Sequence, residues 1–236
     1  MTDRYSGKVA LVAGGTGGLG RFVSLAFLEE GAQVIATYKN AVEFEALRQW
    51  AGTSHSARLE GYSTDVTSDD DVRGMVGSIL AKHGSLDVLV NTVGGYAAGS
   101  KLWETEPKVF ERMFALNFYS GYCLSRNVVP AMLKQGRGAV VNIASMAAID
   151  HAGASAAYVA SKSAAVAMID SLAADLKGTG VRANSVLPSI IDTEANRKAM
   201  PTADFAKWPK PQDIARVILF LCGDEARLIH GASIHV

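Results

Sequence analysis

A tyrosine and a lysine four residues apart form the most reactive pair that the sequence offers. Tyr158 and Lys162 stand at positions i and i+4 of a segment with helical periodicity, so both side chains lie on one helix face. Ser145 ends an apolar, strand-like run 13 residues before Tyr158. A phenol that exchanges a proton, a cation that lowers the pKa of that phenol and a hydroxyl that polarises a carbonyl predict general acid/base catalysis.

The charge of one lysine is sufficient for this chemistry. Lowering the pKa of a tyrosine from near 10 to about 7 requires roughly 4 kcal/mol. A unit positive charge about 4 Å away supplies on the order of 4 kcal/mol at an effective dielectric constant near 20. A Tyr/Lys pair alone is usually a surface feature of an amphipathic helix, so the prediction depends on the motifs that accompany it.

A glycine-rich turn near the start of the chain is the first such motif. Residues 13–20 read AGGTGGLG, follow a strand-like run and lead into a helical segment. Gly15, Gly17 and Gly20 fit a GxGxxG spacing, and Gly14, Gly18 and Gly20 fit a GxxxGxG spacing. Either pattern lets the backbone approach a pyrophosphate, whose charge is held by the N–H groups at the helix start. We therefore predict dinucleotide binding rather than a turn that only packs a helix against a strand.

The end of the second strand-like run predicts which dinucleotide is bound. An acidic residue at this point binds the ribose diol of NAD(H), and a basic residue accommodates the 2′-phosphate of NADP(H). Glu30 comes too early in the chain and Glu43 too late, whereas Lys39 is in place and Tyr38 offers a ring face to the adenine. We expect NADP(H) in preference to NAD(H), with a solvated loop lysine as the alternative for Lys39.

Strand-like and helical segments alternate along the whole chain, which predicts one α/β domain over residues 1–236 with a doubly wound parallel sheet of about seven strands and helices on both faces. The predicted strands are Val9–Ala13, Val34–Ala36, Arg58–Tyr62, Leu86–Val90, Ala139–Ile143, Val181–Leu187 and Ala232–Val236. The predicted helices are Leu19–Glu30, Val42–Trp50, Ser68–His83, Lys108–Leu133, Ala154–Leu176 and Gln212–Leu221. Residues 189–211 escape the alternation and carry three of the six prolines, which predicts an irregular lid over a site.

Charge and composition argue against other classes of function. The 23 basic and 23 acidic residues cancel, so no basic field attracts nucleic acid or an anionic membrane. The charge-free stretches reach about 13 residues, short of the roughly 18 that span a bilayer. The segment Met1–Tyr5 leaves no room for a signal peptide, so we expect a cytoplasmic protein. Cys123 and Cys222 are expected to be buried thiols, and no metal site is expected.

These motifs together resemble the short-chain dehydrogenase/reductase superfamily over nearly the whole chain. The resemblance rests on the glycine turn, Asp65-Val66, residues 91–94, Asn117, Ser145, Tyr158 and Lys162. It implies a Rossmann-type fold and hydride transfer between a nicotinamide cofactor and a carbonyl or alcohol. It also implies that Tyr158 is the general acid/base, that Ser145 polarises the carbonyl and that Lys162 binds the nicotinamide ribose. Asn117 would hold a water that links Lys162 to solvent.

The same resemblance implies a set of cofactor-binding residues. Asp65 and Val66 would contact the adenine, and Thr193 would seat the nicotinamide carboxamide. The full set is Gly14, Thr16, Gly18, Leu19, Gly20, Tyr38, Lys39, Asp65, Val66, Asn91, Gly94, Pro188, Ile190 and Thr193. The chain departs from the family pattern at Ala13, Thr92, Val93 and Ser189, which bears on turn geometry and removes no reacting group.

The substrate is less defined than the chemistry. Candidate pocket or lid residues are Tyr96, Ile149, His151, Phe205 and Trp208, with ordinary packing as the alternative for each. Residues 94–99 and 191–208 resemble the dihydropteridine reductase branch. In that branch an aromatic residue after the fourth strand lies near the pteridine ring, and Tyr96 would occupy this position. That branch typically lacks a serine such as Ser145 and favours NADH. Reduction of a quinonoid dihydropterin or quinone and a non-catalytic dinucleotide sensor are therefore the two alternatives.

Small residues crowd the segment that carries Tyr158 and Lys162. Ten of its alanines and serines fall between Ala154 and Ala167, and small side chains allow two helices to approach closely. The pattern is consistent with the helix-pair dimer interface and common homotetramer of the superfamily, so the resemblance implies a homodimer or homotetramer. The high helix propensity of alanine is the alternative explanation.

Overall fold

The computed structural model describes residues 3–236. The prediction that the chain has no signal peptide also concerns residues 1–2, which lie outside the described residues. Seven parallel strands form one sheet in the order β3-β2-β1-β4-β5-β6-β7. They are β1 (Val9–Ala13), β2 (Gln33–Tyr38), β3 (Leu59–Ser63), β4 (Val88–Asn91), β5 (Gly138–Ile143), β6 (Val181–Leu187) and β7 (Ser233–His235). The predicted seven-stranded parallel sheet is confirmed, and its order reverses between β1 and β4, where ligands bind in such folds.

Nine helices pack on the two faces of the sheet in residues 3–236. They are α1 (Gly20–Glu29), α2 (Ala41–Ser56), α3 (Asp69–His83), α4 (Pro107–Phe114), α5 (Ser120–Gln135), α6 (Ala147–Asp150), α7 (Ala156–Asp175), α8 (Glu194–Ala199) and α9 (Pro211–Cys222). One core cluster lies under α1, α2 and α9, and the other lies under α3, α5 and α7. Because both faces are covered, β1 is buried at every residue, as its continuous apolar run predicts.

The helix predicted over Lys108–Leu133 is in fact two helices. Helices α4 and α5 are joined by one π-helical turn, Ala115–Tyr119, which contains Asn117. A π turn adds a residue to the helical repeat and marks functional sites in many proteins. Helix α2 also runs beyond the predicted end at Trp50, through Gly52, whose φ of 66° interrupts the helical backbone.

The region predicted as an irregular lid, residues 189–211, contains the short helix α8 and a 3-10 turn over Phe205–Lys207. Helix α8 begins at Thr193 because the threonine hydroxyl accepts the N–H of Asn196 at 3.2 Å. The base of the excursion is closed by the N–H of Asp192, which donates to the carbonyl of Pro209 at 3.0 Å. Residues 189–211 therefore form a closed, partly helical excursion rather than a wholly irregular loop, and their role as a lid stays a prediction.

Two further sequence expectations concern membranes and thiols. Within residues 3–236, no helix combines the length and the apolarity that a membrane crossing requires. Cys123 and Cys222 are buried and unbonded, as predicted. Burial raises the pKa of the Cys222 thiol to about 12, which leaves this group protonated and unreactive at neutral pH.

Asp87 ties together the amino-terminal ends of three neighbouring strands, which no motif in the sequence predicts. Its side chain is only 5% exposed. One carboxylate oxygen accepts the backbone N–H of Val9 at 3.0 Å and the hydroxyl of Ser85 at 3.2 Å. The other accepts Nε of Arg137 at 3.0 Å and lies 3.9 Å from Nζ of Lys8. The carboxylate thus joins β1, β4 and β5 at the edge of the sheet opposite the glycine turn.

Replacing Asp87 tests this connection. We expect Asp87→Ala to lower the free energy of unfolding by about 2–3 kcal/mol, because a buried N–H and an arginine lose their acceptor. Denaturant unfolding monitored by circular dichroism measures the change. Asp170→Ala, an exposed position on α7, is the control and should change stability by less than about 0.5 kcal/mol. Equal effects of the two substitutions would contradict the role of Asp87.

Candidate active site

The carboxyl edge of the sheet gathers the residues that the sequence singles out. The glycine turn follows β1, residues 92–95 follow β4, and Ser145 lies just beyond the end of β5. Helix α7 then crosses the same edge and carries Tyr158 and Lys162 one turn apart. Residues from distant parts of the chain therefore meet at one site because parallel strands all end on the same side.

Tyr158 lies against Ser145 and Tyr96. Its ring meets that of Tyr96 edge to face, with ring centroids 4.9 Å apart. Burial raises the pKa of the Tyr158 phenol, and the hydroxyl of Ser145 opposes this rise by hydrogen bonding. The sequence argument instead predicted a pKa lowered by Lys162. The difference arises because desolvation, which disfavours the phenolate, is the largest influence on this group.

Lys162 is the most deeply buried cation of the site. The residue is 5% exposed, and its Nζ donates to the carbonyl oxygen of Ile143 at 2.9 Å. Burial lowers its pKa to about 8. The ammonium form therefore predominates about tenfold at pH 7, and two of its three N–H donors are left for a ligand.

Asn117 holds the loop after β4 against α7. Its Oδ1 accepts the N–H of Gly95 at 2.8 Å, and its Nδ2 donates to the carbonyl of Gly95 at 3.1 Å and to Oγ of Ser161 at 3.0 Å. A Cβ on Gly94 would lie 2.9 Å from Asn117 Oδ1 and 3.2 Å from Lys162 Nζ. The loop can therefore pass beneath the lysine only because residue 94 has no side chain. The water predicted beside Asn117 stays a prediction.

A buried amide on β5 supports this loop, and sequence reasoning missed it. Asn142 lies beside Asn91 in the sheet register, and its Oδ1 accepts Nδ2 of Asn91 at 2.9 Å. This bond orients Asn91, whose Oδ1 accepts the N–H of Val93 at 3.1 Å. The only signal in the sequence is a polar residue in an otherwise apolar run. Nδ2 of Asn142 and Oγ of Ser185, its neighbour on β6, have no protein partner within residues 3–236.

The glycine turn has the shape that a dinucleotide requires. A Cβ on Gly20 would lie 2.0 Å from the carbonyl oxygen of Gly14, and Gly14 itself has a φ of +71°. A Cβ on Gly18 would lie 3.1 Å from the methyl group of Thr193, which places Thr193 directly against the turn. The backbone is thus bare at the start of α1, so the residues present fit a pyrophosphate.

Thr92 supplies a hydroxyl that the family pattern usually has at position 13. Ala13 lacks the hydroxyl that usually begins the glycine motif, but the hydroxyl of Thr92 donates to the Ala13 carbonyl at 2.8 Å. A second tie comes from Thr37 on β2, whose Oγ1 accepts the N–H of Gly14 at 2.9 Å. The turn is therefore fixed from both neighbouring strands.

At the predicted adenosine end of the site, the charge of Lys39 is paired with a carboxylate, which the sequence does not predict. Nζ of Lys39 lies 3.7 Å from Oδ1 of Asp65, and the pKa of Asp65 is lowered chiefly by hydrogen bonds from Thr67, with Lys39 adding to the effect. The ring of Tyr38 stacks on Phe44 with centroids 5.0 Å apart, so one face is already covered.

Glu43, set aside in the sequence as too late in the chain to act at the end of β2, contacts the glycine turn instead. Glu43 lies in the first turn of α2, and its Oε2 accepts the hydroxyl of Thr16 at 3.0 Å across 27 residues of chain. Helix α2 begins shortly after β2, so its first turn lies back against the glycine turn. The structure therefore places a carboxylate on the glycine turn, a contact that the sequence does not signal.

Only some of the predicted substrate residues lie close to Tyr158 and Ser145. Tyr96 meets Tyr158, and Ile149 lies on the exposed helix α6, which closely follows Ser145. Phe205 and Trp208 pack on each other in the lid with centroids 5.0 Å apart. His151 instead turns back on its own loop, where its Nε2 donates to the carbonyl of Ala148 at 2.9 Å.

The remaining predicted cofactor residues line or support the same edge. Leu19 and Val66 are buried in the two core clusters. The carbonyl of Pro188 accepts the N–H of Met146 at 2.9 Å, which ties β6 to the loop after Ser145. Ile190 is exposed beyond this point, and Thr193 caps α8. These placements leave their contacts with a cofactor as predictions.

Comparisons with known proteins bear on the whole chain. A family model described as short chain dehydrogenase matches residues 8–204. The 3-oxoacyl-(acyl-carrier-protein) reductase FabG of Thermotoga maritima is 30% identical over 241 residues, with 99% of this chain and 97% of that protein covered. The structure of ElxO with NADP bound has a TM-score of 0.91 at 28% identity, with 97% and 96% covered. That of NAD⁺-bound xylitol dehydrogenase has a TM-score of 0.89 at 25% identity, with 98% of each chain covered.

The loop after β4 fits closely beneath Lys162, so a single methyl group added at residue 94 should weaken dinucleotide binding. We expect Gly94→Ala to reduce dinucleotide affinity at least about tenfold, because the new Cβ would displace Asn117 or the lysine head. Quenching of protein fluorescence on titration with NADPH measures it. Gly153→Ala is the matched control, since a Cβ there meets no atom within 4 Å. Unaltered affinity in Gly94→Ala would contradict the packing.

Burial of the Lys162 ammonium predicts a stability cost that depends on pH. The folded-state pKa is lowered to about 8 from an ordinary 10.5, so the folded chain binds this proton less tightly than the unfolded chain. The cost, up to about 3 kcal/mol, is fully present below pH 8 and disappears as pH rises through about 10.5.

We therefore expect Lys162→Met to raise the free energy of unfolding by about 2–3 kcal/mol at pH 7, because methionine fills similar space without a charge. The difference between the two proteins should shrink between pH 8 and pH 10.5. Urea unfolding at several pH values measures it. A variant less stable than the unaltered chain at pH 7 would show that the ammonium is not a stability cost.

Proposed function

The chain belongs to the short-chain dehydrogenase family, and on that premise we propose that it reduces a carbonyl group of a small molecule with NADPH. Membership makes it an oxidoreductase that uses a nicotinamide dinucleotide. The observation that carries the proposal is the hydrogen bond of Tyr158 with Ser145, one helical turn from the buried Lys162. A catalytically inert sensor has no need of this proton-transfer set.

Tyr158 is the general acid in the proposed reduction. Because burial raises its pKa, the phenol keeps its proton at neutral pH and can donate it to a carbonyl oxygen as that oxygen gains negative charge. In the reverse direction the phenolate must form first, so oxidation of an alcohol should be favoured at high pH. The protonated resting state thus supports reduction as the direction near pH 7.

Ser145 polarises the carbonyl in this proposal. The N–H of Ala147 donates to its Oγ at 3.2 Å. That bond fixes the oxygen, so the hydroxyl hydrogen, which faces Tyr158 in this structure, can turn to a substrate oxygen shared with Tyr158. Two donors aimed at the oxygen that becomes negative stabilise the transition state more than the ground state.

The cofactor residues fall into three groups in the proposal. The bare backbone at the start of α1 would hold the pyrophosphate, Lys162 would bind the nicotinamide ribose, and Thr193 with Ile190 would seat the carboxamide. When bound, the nicotinamide supplies or accepts the hydride. Lys162 is protonated below pH 8, so its remaining N–H donors would serve the ribose.

The choice of NADP(H) over NAD(H) is supported by Lys39. It follows the end of β2, where a cation accommodates a 2′-phosphate. Its partner Asp65 is half exposed and lies 3.7 Å away, a weak pair that a phosphate could displace. Among the structural relatives, ElxO is seen with NADP and xylitol dehydrogenase with NAD⁺, so the family supports both forms.

The mouth of the site favours a substrate with an apolar or aromatic part. Tyr96, at 73% exposure, leans on Tyr158, and Ile149 stands at 47% exposure beyond Ser145. The relatives compared above include a 3-oxoacyl-(acyl-carrier-protein) reductase and a xylitol dehydrogenase, so the family alone does not narrow the choice. The contact of Tyr96 with Tyr158 also favours a second candidate, reduction of a quinonoid dihydropterin, whose flat ring would stack there.

Two further parts of the proposal concern the oligomeric state of the protein and its location in the cell. The outer faces of α5 and α7 form an exposed apolar groove, which supports a homodimer or homotetramer assembled through these helices. Its lining includes Phe118, Tyr122, Ala164, Ala167, Met168 and Leu172. A cytoplasmic location completes the proposal.

Removing the Tyr158 hydroxyl tests the proposal. We expect Tyr158→Phe to lower kcat about a thousandfold or more because the proton donor is lost, while NADPH affinity stays within about threefold. The loss of NADPH absorbance with ketones, quinones and a quinonoid dihydropterin measures turnover. Tyr62→Phe, on the edge strand β3, is the control. Retained turnover in Tyr158→Phe would contradict the role, and NADPH binding without turnover of any substrate by the unaltered chain would favour a sensor.

A further inference from the structure

A groove at the amino-terminal edge of the sheet lies opposite the proposed active site and is not used by the proposed chemistry. Its walls come from the residues that precede or begin β1, β4, β5 and β6 and from the turn after α9. This amino-edge groove has a volume of about 370 Å³, which is within the range of small-molecule sites. Among residues 3–236, no residue lines both this groove and the one beside the glycine turn. The two are therefore separate places on the molecule.

The charges that line the amino-edge groove are unbalanced, although the 23 basic and 23 acidic residues of the whole chain cancel. Five cationic and two acidic residues line it. One of the five, Arg4, is paired with Glu30 at 3.0 Å. The remaining charged residues that line it are Lys8, Arg137, Arg182, Arg227, Asp87 and Asp224. Four cations against two carboxylates leave an excess of two positive charges, and a cleft with such an excess concentrates anions.

Two arginines of the groove keep N–H donors for a ligand. Arg137 uses its Nε to bind Asp87 at 3.0 Å, and in the part of the chain that the structure describes its two terminal nitrogens have no protein acceptor. Arg227 is exposed, and its side chain has no hydrogen-bond partner within residues 3–236. A guanidinium group binds phosphate and carboxylate oxygens two at a time. The free donors therefore suit an anion that carries several oxygens.

Arg182 adds a fixed charge that no acid neutralises. Its Nη1 donates to the carbonyls of Leu221 at 2.7 Å and Ile229 at 3.2 Å. Its Nη2 donates to the carbonyl of Gly223 at 3.0 Å. These carbonyls orient the partly buried guanidinium at the end of α9, where a helix dipole favours a cation. No carboxylate of residues 3–236 pairs with it, although a buried charge is usually paired, so its positive charge remains available to a ligand.

We propose that the amino-edge groove binds a small molecule with two or more negative charges, carried by phosphate or carboxylate groups. Arg227 and the terminal nitrogens of Arg137 bind its oxygens, and the charges of Arg182 and Lys8 add to the attraction. Such an anion joins the start of β5 to the turn after α9, so its binding stabilises the folded chain. The proposal goes beyond the proposed function and does not depend on it.

Calorimetric titration of the full chain with sodium pyrophosphate, and separately with sodium succinate, tests the proposal. We expect at least one of them to bind with a Kd below about 1 mM at low salt. Tighter binding of pyrophosphate identifies phosphate as the preferred group, and tighter binding of succinate identifies carboxylate. The affinity should fall when sodium chloride is raised to about 0.5 M, because salt screens charge interactions.

Substitutions locate the bound anion. We expect Arg227→Gln to weaken binding about tenfold, because it removes a hydrogen bond between charged groups. Arg137→Gln should have a similar effect, with circular dichroism as a check on folding because this change also removes the bond to Asp87. Arg21→Gln is the matched control, since it removes the same charge beside the glycine turn. It should change the affinity by less than about twofold.

Three results would overturn the proposal. Weaker binding in Arg21→Gln but not in Arg227→Gln would place the anion at the glycine turn instead. Equal weakening in both would show only an effect of net charge. Failure of both anions to bind the unaltered chain at about 10 mM would leave the cations as solvated surface groups. These results do not depend on NADPH binding or turnover, so failure of this proposal is distinguishable from failure of the proposed function.

Discussion

The burial of one ammonium group is the constraint on which the site depends. Lys162 is 5% exposed and has the carbonyl of Ile143 as its hydrogen-bond acceptor. A charge in such a place is costly unless nearby groups hold it in position. Residue 94 must lack a side chain so that the β4 loop can pass beneath the lysine, and Asn117 must hold that loop in place. The site is therefore built around a cation that folding alone would not favour.

The sheet supplies the rigid frame for this arrangement. Asn142 on β5 orients Asn91 on β4, and Thr92 closes the gap left by Ala13 on β1. Each contact joins neighbouring strands at the carboxyl edge, so the glycine turn and the loops after β4 and β5 are fixed relative to one another. Asp87 performs the same task at the opposite edge. A strand shift that altered one end would disturb the other.

Much of this could be predicted from the sequence, because the signals are local. Continuous apolar runs predicted the strands, and the four-residue spacing of Tyr158 and Lys162 placed both on one helix face. The π turn at Asn117 has no such local signal. The contact of Glu43 with Thr16 has no local signal either, because it joins residues 27 positions apart, where the first turn of α2 lies back against the glycine turn. The direction of the Tyr158 pKa shift depends on burial, which the three-dimensional packing decides.

A titration of Lys162 tests the central claim most directly. Nuclear magnetic resonance of protein carrying ¹⁵N-labelled lysine, with the Lys162 signal assigned by its loss in Lys162→Met, follows the protonation of this one amine. The buried cation described above predicts a pKa of about 8. A pKa near the ordinary 10.5 would show that the amine is solvated and would contradict the account of the site.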